Sequence, residues 1–148
     1  MFFEISSQPS AYANIFGNSK YPEIKGKVFF FEVHGGTVVV AKIQNLPGEG
    51  FHGFHIHEGF DCTNSMAMGG HYNPQGVPHP DHAGDFPSLL SNKGMAFLSF
   101  YTDRFYPEDI IGRVSVIHGG ADDFKTQPSG NPGEMIACGK IIEYLPAE

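Results

Sequence analysis

At 148 residues the chain has the length of one domain and can bury its own core. A formal charge of −7 and a pI near 5.5 exclude the basic footprint of nonspecific nucleic-acid binding. They also mean that an anionic substrate needs a locally positive site, which a metal ion can supply.

Only 17% of residues are charged, while 19 Gly and 11 Pro punctuate the chain and 14% is aromatic; turns joining apolar strands fit this better than a helical bundle. The start Met1-Phe2-Phe3-Glu4 has no basic region, apolar stretch or cleavage-like site of a signal peptide, which leaves the compartment open between the cytoplasm and export with the signal removed. Residues 12–16 read as a short strand closed by Gly17-Asn18. Residues 24–33, rich in Val and Phe, read as a strand ending at the hairpin signal Gly35-Gly36. Their densest apolar run, Val28-Phe29-Phe30-Phe31, is far too short to cross a bilayer, so no membrane partner is expected. Residues 37–46 form a β-branched strand closing at Pro47-Gly48, and residues 54–58 a short one carrying two histidines at alternate positions.

Residues 59–92 lose any period and fill with Gly, Pro, Asn, Asp, His and Met; so long a loop in a compact domain points to function. Strand texture resumes at 95–101, 110–118 and 137–144, with a second loop at 119–134. The expected fold is all-β: an antiparallel eight-stranded Greek-key sandwich or barrel with two long functional loops, one domain over residues 1–148. Because alternation is not clean in Phe29-Phe30-Phe31 or Val38-Val39-Val40, this reading rests on strand count and turn spacing.

Six of the eight histidines carry the functional argument. A strand points His55 and His57 to one face, about 7 Å apart along the chain, where two imidazoles can converge on one ion. His71, His79, His82 and Asp85 follow in the loop, and His118 ends a later strand. Imidazole suits copper and zinc, and a carboxylate among histidines completes a tetrahedral zinc site. Cys62 and Cys138 lie too far apart for a Cys-x-x-Cys motif and are either two buried free thiols or one long-range disulfide.

The segments Gly53-Phe54-His55-Ile56-His57-Glu58, Gly69-Gly70-His71-Tyr72-Asn73-Pro74, His82-Ala83-Gly84-Asp85, Val116-Ile117-His118 and Ala137-Cys138-Gly139 resemble, in order, the copper/zinc superoxide dismutases. The resemblance implies copper ligands at His55, His57 and His118, an imidazolate at His71 shared by copper and zinc, and zinc ligands at His79, His82 and Asp85. It implies that Asp122, with Asp123 as the register alternative, accepts hydrogen bonds from His55 and His79. It also pairs Cys62 with Cys138, and leaves His34 and His52 without a ligand role. The implied cofactors are copper and zinc, the substrate is superoxide, and a homodimer is left open.

The chain departs from the family pattern in three places. The interval from His79 to His82 is short, and the second loop is abbreviated, with Lys125 its only basic residue. Met135 stands where the family has an arginine facing copper, beside Glu134, while Arg104 and Arg113 are expected in the preceding strands. A dismutase of reduced efficiency is the expectation, and a non-enzymatic protein that buffers or delivers copper and zinc is the alternative.

Overall fold

The computed structural model describes residues 4–147, so residues 1–3 of the start read above, and residue 148, lie outside the described residues. Within them the chain forms β1 (Ala11–Gly17), β2 (Lys25–Val33), β3 (Gly36–Gln44), β4 (Gly50–His52), β5 (Phe54–His57), β6 (Leu89–Ser91), β7 (Ala96–Thr102), β8 (Val114–His118) and β9 (Met135–Glu143). Two helices of 4 residues each, α1 (Ser65–Met68) and α2 (Pro107–Ile110), complete it. Seven strands make one curled antiparallel sheet in the order β5-β8-β9-β1-β2-β3-β7. β4 and β6 pair separately, and each runs directly into one edge strand of that sheet, β5 or β7.

The alternation hidden in the Phe and Val runs is present in space. Phe30 is fully buried while Phe29 and Phe31 are half-buried on the other face, their ring centroids 6.4 Å apart. The sheet therefore has apolar residues on both faces, which masks the period in sequence. Inside, Phe54 meets Phe86 edge-on at 5.0 Å, and Phe86 meets Phe100 at 4.9 Å. Burying each such ring stabilises by about 1.5–3 kcal/mol, and Phe86 ties the loop residue beside it, Asp85, to the core.

Three readings need correction. The loop 59–92 contains α1 and, at its end, β6; a three-residue strand is too short to show a period. The strand expected from Ile110 begins only at Val114, because Pro107 opens α2 and the Asp109 carboxylate accepts the Tyr106 N–H at 2.8 Å. Arg104 and Arg113 consequently flank strands rather than lie in them. Cys62 and Cys138 form a disulfide, Cα atoms 5.9 Å apart, that ties the long loop to β9.

Candidate metal centre

The geometry begins with β5. Phe54 and Ile56 enter the apolar core, which turns His55 and His57 to the opposite face, ring centroids 6.2 Å apart. β8 pairs with β5 through Phe54↔Ile117 and His55↔Val116, and this register carries His118 to the same face. The free edge of β5 is laced by the long loop: Tyr72 N–H donates to Ile56 C=O at 2.8 Å, and Ile56 N–H to Gly84 C=O at 2.9 Å. Isolated bridges His57↔His71 and His55↔Asp85 set those two loop residues opposite the strand histidines. The approach needs glycine at 84, where a Cβ would lie 2.3 Å from the Ile56 oxygen.

Three groups of donors result, each with its ligand atoms within 4.8 Å of one another: a first, His55, His57, His71 and His118; a second, His71, His79, His82 and Asp85; and behind them His55, His79 and Asp122. His71 belongs to the first two. In the first group the outer nitrogens are occupied. His55 Nε2 donates to Asp122 Oδ2 at 2.7 Å, His57 Nδ1 to Gly69 C=O at 2.9 Å, and His118 Nδ1 to Gly133 C=O at 3.1 Å. Each bond fixes a tautomer and aims a bare nitrogen inward. His55 Nδ1, His57 Nε2, His71 Nε2 and His118 Nε2 are all buried without a partner. Unpaired buried polar atoms are costly, and four converging lone pairs fit a cation. Burial lowers the pKa of His55 from 6.5 to about 4 and that of His57 to about 3, and it also lowers His118. The rings are thus held neutral, the form that ligates a metal.

In the second group Asp85 Oδ1 lies 2.7 Å from His71 Nδ1, Asp85 Oδ2 lies 2.9 Å from His79 Nδ1 and 3.0 Å from His82 Nδ1, and His71 Nδ1 lies 3.3 Å from His82 Nδ1. A tetrahedron with bonds of about 2.0 Å has edges of about 3.3 Å, so this donor set fits a zinc-sized ion. Burial alone would raise the Asp85 pKa, but the His71 hydrogen bond and the neighbouring histidines outweigh it and leave the group below its ordinary value. Asp122 joins the two groups from behind: its Oδ1 accepts His79 Nε2 at 2.8 Å while Oδ2 accepts His55. Burial would raise its pKa too, but these bonds hold it lower. Asp123 instead accepts the backbone N–H groups of Lys125 and Thr126.

The sequence profile of the copper/zinc superoxide dismutases matches residues 24–141. The chain belongs to that family. It is 35% identical over 138 residues to a copper/zinc superoxide dismutase of Legionella pneumophila, covering 87% of this chain and 85% of that protein. It is 40% identical to an extracellular copper/zinc superoxide dismutase of Drosophila melanogaster (80% and 76% covered) and 34% identical to a copper/zinc superoxide dismutase of Aquifex aeolicus (80% of each).

A cavity of about 350 Å³ opens over the first group, lined by His57, His71, His118, Glu58 and Asn73 among others, and by no Lys or Arg among the described residues. Met135 begins β9 opposite His118 and packs, half-buried, against Met68, Val114, Val116 and Cys138. Glu134 pairs with Lys20 at 3.1 Å, and Lys125 is exposed. Three side chains have supporting roles that the sequence did not assign to them. His52 has Nδ1 2.9 Å from the His118 carbonyl, bracing that ligand strand from behind. Gln127 and Arg104 both bond the backbone around His79 and His82. Nothing in the local sequence of Gln127 and Arg104 marks them, since their partners lie 22 to 48 positions away, and His52 reaches His118 across 66.

Proposed function

We propose that the chain converts superoxide to dioxygen and hydrogen peroxide as a copper/zinc superoxide dismutase, with copper held by His55, His57, His71 and His118 and zinc by His71, His79, His82 and Asp85. The observation that carries this is the shared ring: His71 offers a bare Nε2 to one group and Nδ1 to the other. Bound copper supplies the one-electron chemistry that alternately oxidises and reduces superoxide, and zinc supplies fixed positive charge. With the metals bound, His71 Nε2 would be the atom that takes up one proton and hands it to the reduced product, the second proton coming from solvent, while Nδ1 stays held in the second group. Asp122 keeps His55 and His79 oriented by accepting from both. The cavity over His57 and His118 admits a small anion.

Met135 in the place of the family arginine reduces the rate, because a guanidinium there would attract and orient the anion against a net charge of −7. A homodimer is the assembly to test, and a solution mass of twice 16.2 kDa would show it. Pulse radiolysis of the metal-loaded protein, with a chelator present to silence free copper, tests the activity. Catalytic decay of superoxide in proportion to bound copper is expected. Full metal content with no catalysed decay would favour the buffering or delivery alternative.

A further inference from the structure

Only Pro80 and Asp81 separate His79 from His82, so one short turn must aim two Nδ1 atoms at a single point. His71 and Asp85 are set by backbone bridges to β5, and no such bridge holds residues 79–82. Inside the turn Asp81 N–H bonds Pro78 C=O at 2.8 Å, and at its end His82 N–H donates to Asp85 Oδ2 and Asp85 N–H to His82 C=O, both at 3.0 Å. Two side chains from other parts of the chain hold the N–H and C=O of His79 and the C=O groups of Pro80 and His82.

Gln127, from the second loop, accepts His79 N–H on Oε1 at 2.9 Å and donates from Nε2 to His79 C=O at 2.6 Å. Its amide therefore pairs with His79 as a neighbouring strand would. Arg104, beyond the end of β7, donates from Nη1 to Pro80 C=O and to His82 C=O, both at 2.9 Å, with Nη2 3.8 Å from Asp81 Oδ1. The planar, always charged guanidinium suits this fork. Because each imidazole swings on its own backbone, fixing the carbonyls at 79, 80 and 82 fixes where both Nδ1 atoms point.

We infer that Gln127 and Arg104 are positioning residues of the zinc-binding turn, and that they build the short His79–His82 turn in place of the sheet bridges that hold His71 and Asp85. This rests on the assignment of His79 and His82 to zinc. The two side chains grip the turn from separate elements, the second loop and the segment after β7, so each should contribute on its own.

The test is zinc affinity by chelator competition in copper- and zinc-loaded protein, comparing Gln127→Ala, Arg104→Ala and Arg104→Lys with the parent. Each alanine variant should raise the zinc Kd about 10- to 100-fold while the copper Kd moves less than about threefold. Arg104→Lys, which keeps a charged donor but not the fork, should recover part of the loss. The unfolding midpoint of the zinc-free protein should fall by no more than a few degrees in any of them. A zinc Kd within about threefold of the parent in both alanine variants would overturn the inference. So would a parallel loss of copper affinity, zinc affinity and zinc-free stability, which marks general destabilisation. Asp85→Ala in the same assay separates the failures: if it too retains full zinc affinity, the zinc assignment itself is wrong.

Discussion

The two donor groups share His71 yet are built differently. His55, His57 and His118 stand on strands, and the period of two together with the β5–β8 register puts their nitrogens together. His79, His82 and Asp85 stand on a loop, and each position is enforced by a separate interaction: a bridge for Asp85, side-chain clamps for the turn. A strand-borne site inherits its precision from the fold, whereas a loop-borne site needs its own supports. The second group should therefore be the more easily lost.

The largest effects come from removing ligands. His71→Ala should weaken both metals by orders of magnitude, because its two nitrogens face different groups, while Asp85→Ala should chiefly release zinc. Elemental analysis after dialysis reads both, and equal loss of copper and zinc from Asp85→Ala would break the distinction. Next is the disulfide, which fastens the loop to β9 across a separation of 76 residues. Replacing Cys62 and Cys138 by Ser should lower stability by about 4 kcal/mol on the chain-entropy account. Denaturant titration measures it, and a change below about 1 kcal/mol would mean the loop is held without the bridge.

Acid sharpens the comparison in the chelator-stripped protein. With folded pKa values lowered from 6.5 to about 4 for His55 and about 3 for His57, the unfolded chain binds these protons first as pH falls. Their contribution is thus fully present above the unfolded value and is lost progressively as pH drops from about 6.5 towards 4 and then 3. The lowered carboxyls of Asp85 and Asp122 extend the loss further into acid. Urea midpoints at about pH 7, 6 and 5 should decline in that order, and bound metal should flatten the decline. A flat profile in the stripped protein would contradict the burial of the strand histidines.

The smallest expected effect is at the mouth. Met135→Arg should raise the second-order rate with superoxide on the order of tenfold at low salt, and less as salt screens the field. Because Glu134 already pairs with Lys20, adding Glu134→Gln should help only modestly. Pulse radiolysis at two ionic strengths reads both, and an unchanged rate in a fully loaded variant would mean that steering does not limit the reaction.

How far these features can be read in advance follows the same division. Phe-His-Ile-His on a strand declares its own geometry, and the register needs only β-pairing to bring in His118. The family motifs carry the loop ligands, but not what supports them. Gln127 and Arg104 act on backbone groups 22 to 48 positions away, so their role exists only once both loops are folded. The α2 boundary was legible from Pro107 and the acidic Glu108-Asp109 that follow Tyr106, the chemistry of a helix start, although the apolar Ile110-Ile111 beside it reads as a strand. β4 and β6, three residues each, carry too few positions to show any period.

The account's central claim is that one ring divides two metals between a strand-borne and a loop-borne site. Crystals of the loaded protein, with anomalous scattering recorded at the copper and zinc edges, test it most directly. The expected result is a copper signal amid His55, His57, His71 and His118, and a zinc signal amid His71, His79, His82 and Asp85. One metal in both places, or an ion seated among His55, His79 and Asp122 instead, would contradict it.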